Sequence, residues 1–150
     1  MVPALKAKMR EQKGFTLIEL LAVIIILGII AAIAIPAIGN VITKSENKAK
    51  VQDALLIIDA AHLYVAEKHP DAVTYLTIDG ASSTTSLGTY LDRVKDEGFK
   101  VTVTPTSQAD GSVKYSYEIE NHDACKIVSK ETTPAKTDKV SEKALSAYKQ

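Results

Sequence analysis

The chain has 150 residues, with 18 basic and 18 acidic side chains, three histidines, one cysteine and no tryptophan. Balanced charge offers no electrostatic case for nucleic acid as the main ligand, and a lone cysteine excludes an internal disulfide. The balance hides an asymmetry: residues 1–14 carry Lys6, Lys8, Arg10 and Lys13 against Glu11, a net of +3, which leaves −3 on the remainder.

Residues 15–38 form an apolar run whose single charged member is Glu19. At about 1.5 Å per residue such a helix reaches roughly 36 Å, enough to span a bilayer's hydrocarbon core. About 110 residues then remain, which limits the water-exposed part to one small domain. A basic stretch ahead of an apolar run reads as an export segment, with the N-terminus held on the cytoplasmic side. Three outcomes follow from that reading. The segment is a signal peptide cut after Ala32-Ile33-Ala34, an uncut anchor, or a leader cut ahead of the apolar run. Length argues against the first, because apolar residues continue to Ile38.

The basic–apolar junction reads Lys13-Gly14-Phe15-Thr16-Leu17-Ile18-Glu19, followed by Leu20-Leu21-Ala22-Val23-Ile24. This resembles the type IV prepilin signature over residues 8–40: a basic leader ending in glycine, then Phe, then Glu at the fifth mature position, then a long apolar helix. An acidic residue four places into a membrane helix is rare by chance, so the motif is specific. The resemblance implies cleavage between Gly14 and Phe15 by a membrane aspartyl peptidase that also N-methylates Phe15. It further implies that Glu19 guides assembly into a helical homo-oligomeric filament, built by an assembly platform and its ATPase. The precursor would sit in the cytoplasmic or inner membrane and the filament would be extracellular.

Physical reasons stand beside the resemblance. Gly14 lets a protease approach the backbone closely. A carboxylate in hydrocarbon is costly and wants a partner. Cleavage supplies one in the Phe15 ammonium, about 6 Å away along the helix axis, and a neighbouring subunit's ammonium is the other candidate. Glu19 also suits the positive end of the helix dipole. Pro36 lacks an N–H and crowds the carbonyl of Ala32, so the helix either kinks there or, as the resemblance implies for filaments, loses its turns between Gly28 and Pro36.

Beyond Asn40, Val51, Leu55, Ile58, His62 and Val65 recur at 4-3-4-3 spacing, with Ala54 and Ala61 beside them. This predicts one helix over residues 16–69, apolar over 15–39 and amphipathic over 40–69, stopped by His69-Pro70. Residues 70–98 read as a long connection, with Ser86 capping a short helix to about Glu97 and Gly98 stopping it. Phe99, Val101 and Val103 alternate with polar residues, as do Val113, Tyr115, Tyr117 and Ile119. With Asp110-Gly111 between them they read as a hairpin. Residues 126–129 read as a third strand, 132–138 as a polar link, and 139–150 as a short helix or loose tail. The expected class is α+β: a long N-terminal helix packed on a small antiparallel sheet, a head over 70–138 that resembles the type IV pilin head.

Enzyme chemistry is missing from the sequence. His62, His69 and His122 form no HExxH-type pair, and there is no Gly-x-Ser-x-Gly, phosphate-cradling loop or dinucleotide fingerprint. His122-Asp123-Ala124-Cys125 falls short of the four ligands of a structural zinc site, and no metal or cofactor is expected. His62 reads as packed or hydrogen-bonded. The expected function is a structural prepilin. The alternatives are a pseudopilin of a secretion or DNA-uptake machine, and a simple membrane-anchored or secreted binding protein. Adhesion, twitching, biofilm formation and DNA uptake are family-level roles among which the head residues do not choose. Many Gram-negative pilin heads close a C-terminal loop with two cysteines. The lone Cys125 departs from that pattern and favours a Gram-positive source.

Overall fold

Thr16 opens a helix, α1, that runs from Leu17 to Lys68. The structure, a computed structural model, describes residues 16–80, 84–91 and 94–148. α1 ends where His69 adopts a left-handed φ of 46° and its N–H bonds to the carbonyl of Val65 at 2.9 Å. Pro70 then cannot extend the ladder. The helix expected over 16–69 thus differs by one residue at each end. The chain divides into two compact units, Met1–Ile42 and Thr43–Gln150.

In the first unit every described residue belongs to α1 or precedes it, and none is buried. In the second unit α1 buries Val51, Ala54, Ile57, Ile58, Ala61 and Val65. Of the expected 4-3-4-3 stripe Val51, Ile58 and Val65 are buried while Leu55 and His62 are only half-buried; Ile57 joins Ala54 and Ala61 on the other side, so the buried face is rotated from the expected one. A five-stranded sheet supplies the opposing surface: β1 (Thr74–Thr77), β2 (Thr85–Ser86), β3 (Lys100–Ser107), β4 (Val113–Glu120) and β5 (Val140–Ser141), in the order β2-β1-β3-β4-β5. Two short helices complete it, α2 (Asp123–Val128) and α3 (Glu142–Ser146).

The hairpin β3–β4 is as the alternation requires. Val101 faces Ile119 and Val103 faces Tyr117, all four buried. Phe99, Leu76 and Leu145 join the same core. Each fully buried side chain of this size contributes roughly 1.5–3 kcal/mol before chain entropy is counted. In the loop, Gly111 takes a φ of 83°, and Asp110 Oδ1 accepts the N–H and the hydroxyl of Ser112 at 2.9 and 2.6 Å. This is the local side-chain closure that Asp-Gly turns favour.

Four expectations need correction. The sheet is mixed, because β1 and β2 run parallel while the other three pairings are antiparallel. β1 lies inside the expected connection; its four residues are short, and their partners in β3 are remote in sequence. Ser86 does not cap a helix. Its hydroxyl donates to Ile78 O at 2.8 Å and accepts the Gly88 N–H at 3.1 Å, and one turn follows in which Tyr90 N and Leu91 N both bond to Leu87 O. Of residues 126–129, expected as a strand, 126–128 belong instead to α2 and Ser129 is its C-cap, because His122 caps the start of that helix. Only glycine suits position 80: its φ is 68°, and a Cβ would lie 2.9 Å from Ser86 N.

Candidate functional site

The first turn of α1 holds the acidic residue singled out by the junction motif. Thr16 N–H donates to Glu19 Oε2 at 2.8 Å, the Thr16 hydroxyl donates to the same oxygen at 3.0 Å, and Glu19 N–H donates back to Thr16 Oγ1 at 3.4 Å. This is a capping box, with the N-cap and N3 side chains satisfying each other's backbone amides. The Thr-x-x-Glu spacing was visible in the sequence, and Thr16 is the site residue that motif reading passed over. Gly14 and Phe15, the expected cleavage and methylation positions, lie outside the described residues.

The rest of this half of α1 offers apolar side chains with nothing covering them. Leu17 is 85% exposed, and Leu20, Leu21, Ile24, Leu27, Ile30, Ile33, Ile35, Ile38 and Ile42 are all exposed. α1 is the one helix among the described residues that is long and apolar enough to cross a membrane. So large an apolar surface is stable in a bilayer or against other apolar helices, not in water.

Gly28 and Pro36 both sit inside α1, and residues 28–36 are helical in this structure. A Cβ at Gly28 would meet nothing within 4 Å. No packing inside the chain therefore requires glycine there. What glycine does supply is a weaker helix, by about 1 kcal/mol relative to alanine, or a close approach for a second helix.

The remaining candidates lie in the head and turn out to be structural. His122 is 1% exposed; its Nδ1 accepts the Ala124 N–H at 3.1 Å, and its Nε2 lies 3.2 Å from Asp53 Oδ2 on α1. The cap leaves Nδ1 without a proton, so the ring proton sits on Nε2 and points to Asp53. Cys125 is buried and donates to Ile119 O at 3.5 Å, and burial pushes its thiol pKa up, away from thiolate chemistry. No group of three potential metal ligands converges among the described residues. His62 stacks against the Tyr117 ring at 3.9 Å between centroids, and its Nε2 lies 3.2 Å from Glu142 Oε1.

Beside His122, the carboxylate of Asp96 accepts the Asp123 N–H at 3.0 Å and the Lys136 ammonium at 2.7 Å. Burial works to raise the Asp96 pKa, but the Lys136 and Asp123 hydrogen bonds outweigh it and hold the carboxyl below its ordinary value. The same hydrogen bond raises Lys136. These groups clamp the 94–98 segment, the start of α2 and the polar link to one another. No nucleophile or free general base stands among them.

Comparison with known proteins agrees with the junction motif. Residues 9–35 match the family model for the prokaryotic N-terminal methylation motif. The chain is 38% identical over 100 residues to the type IV major pilin protein PilE of Neisseria gonorrhoeae, an overlap of 64% of this chain and 58% of that one. It is 48% identical over 66 residues to the type IV major fimbrial protein FimA of Dichelobacter nodosus, covering 42% of this chain and 41% of that one. It is also 63% identical over 39 residues to Fimbrial protein Q of Moraxella bovis, covering 26% and 25%. The chain thus spans less than two thirds of the length of these relatives. No solved structure matches it. The Gram-positive source expected from Cys125 is not borne out by these relatives, and burial in the head core accounts for that cysteine without reference to source.

Proposed function

We propose that this chain is a prepilin, cut between Gly14 and Phe15, N-methylated on Phe15, and polymerised into a type IV pilus on the cell surface. The single observation that carries this is the exposed apolar half of α1, with one carboxylate, Glu19, in its first turn. In the precursor the bilayer covers that surface. In the filament the same surface packs against equivalent helices of other copies, and transfer from lipid to filament keeps it out of water throughout.

The chemistry of Glu19 fits this role. Its carboxylate already accepts from Thr16, but an ionised carboxylate has lone pairs to spare. Cleavage frees an ammonium on Phe15, and in an apolar filament core that cation and Glu19 are each other's natural counter-ions. Pairing between copies would register an incoming subunit. Loss of helix between Gly28 and Pro36 on assembly belongs to the same proposal, supported by the open surroundings of Gly28 and the missing amide of Pro36. Prepilin peptidase, assembly platform and ATPase are the partners this reading requires, and the role is structural, not enzymatic.

The test is mass spectrometry of the N-terminal peptide from the membrane fraction and from filaments sheared off intact cells. A methylated Phe15 terminus in the sheared fraction is the expected result. An Ile35 terminus, or an uncut leader in the presence of an active prepilin peptidase, overturns the proposal. The same terminus confined to membranes moves the assignment to a pseudopilin.

A further inference from the structure

We propose that Leu56, Asp59 and Leu63, on the face of α1 that its own sheet leaves open, dock into the groove between α2 and α3 of a second copy of this chain. The inference rests on the filament reading above and names a contact within it.

The ridge comes from helix geometry. In the second half of α1 the exposed positions Leu56, Asp59 and Leu63 follow 3-4 spacing, and at about 100° per residue they lie opposite the buried stripe of Ala54, Ile58, Ala61 and Val65. Leu56 is 60% exposed and Leu63 59%. A single exposed leucine is ordinary. Here two stand one above the other over about 10 Å, with a carboxylate between them that forms no ion pair with any described residue.

A counterpart to that pattern exists on the same unit. Ile127 and Val128 of α2, with Ala147 and Tyr148 after α3, line a cavity of about 620 Å³ whose charged members are Lys130 and Lys143. Neither lysine forms an ion pair with any described residue. The ridge is apolar with an unpaired anion. The groove is apolar with two unpaired cations. Seating one in the other buries the leucines and sets the single carboxylate of Asp59 between the two ammoniums.

The occupant is a second copy because the two halves of the contact are different surfaces of one chain. Such a heterologous contact does not close on itself as a two-fold dimer does. Repeated, it propagates into a ring or an open helical filament. It would also add a head-level contact to the apolar one, on the same helix that carries Glu19.

The test uses the full chain in cells that assemble it. Asp59→Lys should lower the yield of sheared filaments at least about fivefold, because it sets three like charges together, and adding Lys130→Glu with Lys143→Glu should restore it to within about twofold. All three side chains are exposed, so folding of the head is not at stake. Independently, Leu63→Cys with Ala147→Cys, treated with a bismaleimide on intact filaments, should give a ladder of covalent oligomers, while buried Cys125 stays silent. Filaments that give no ladder, or a loss in Asp59→Lys that the reversed lysines do not restore, overturn the contact. Absence of filaments from the unmodified chain overturns instead the filament reading beneath it.

Discussion

Thr16 and Glu19 satisfy each other across the first turn of α1, the carboxylate taking both the amide and the hydroxyl of the threonine at 2.8 and 3.0 Å. Glu19 therefore has two separable properties. It is a cap for its own helix and, in the proposed assembly, the charge that pairs with another chain. A neutral amide keeps the first property and loses the second.

Glu19→Gln and Glu19→Ala should therefore behave alike in assembly. Both should be processed at Gly14 normally, and both should lose filament yield by about tenfold or more if the charge is what pairs in the apolar core. Thr16→Ala, which removes only the cap side chain, should lose far less. Immunoblots for leader retention, set against sheared filament, separate the two steps. Normal filament yield from Glu19→Gln would remove the charge from the mechanism and leave the cap as the role of this residue.

Gly28→Ala tests the proposed loss of helix. A methyl at this position meets nothing within 4 Å in the free chain, so precursor levels and processing should be unchanged. The helix gains about 1 kcal/mol at that position. If assembly unwinds it, filament yield or extensibility under stretching should fall. Wild-type behaviour in both measurements would return Gly28 to ordinary membrane-helix composition.

His122→Ala should destabilise the head by about 2–4 kcal/mol, since it opens a cavity and strands both the Ala124 amide and Asp53. Asp53→Ala should cost less, about 1–3 kcal/mol, because one buried ring N–H is left without its acceptor. Urea titration of the detergent-solubilised chain, followed by circular dichroism, measures both. Equal and negligible effects would show that the α1–α2 tie contributes nothing to stability.

The Asp96–Lys136 pair gives the head a defined pH response. Asp96 has a folded pKa below its unfolded value, so its contribution is complete above the unfolded value, about 3.9, and is lost as pH falls through the lowered one. Lys136 is raised, so its contribution is complete below about 10.4 and is lost only as pH rises through the raised value. Stability should be flat with respect to this pair between those limits and fall on the acid side. Asp96→Asn should flatten part of that acid fall; an unchanged acid limb would assign it to other carboxylates.

Cys125 should react with iodoacetamide only after unfolding, since it is buried and its thiol is held protonated. Cys125→Ser should leave filament yield unchanged, and non-reducing gels should show no disulfide-linked dimer. A dimer that disappears in Cys125→Ser would give this thiol an intermolecular role.

The sequence alone was enough for the long, strongly periodic features. The apolar run of 15–38, the single carboxylate in it, the helix stop at His69-Pro70 and the alternation of β3 and β4 are all periodic or adjacent features. A helix closes its hydrogen bonds within four residues, so its existence is written locally. The capping box was equally local, and it was missed only because a stronger motif occupied the same residues.

Tertiary structure decided what depends on distant partners. β1 is four residues long and becomes a strand because Thr74, Tyr75 and Leu76 find Val103, Thr102 and Val101. β5 is two residues long and pairs with Glu118 and Ile119. His122 and Asp53 are 69 residues apart, and nothing along the chain links them. A strand's hydrogen bonds and a buried polar group's partner come from whichever segment the core brings alongside. Residues 126–129 could have served as strand or helix by composition. The cap on His122, placed by that same core, put 126–128 in α2 with Ser129 as its C-cap.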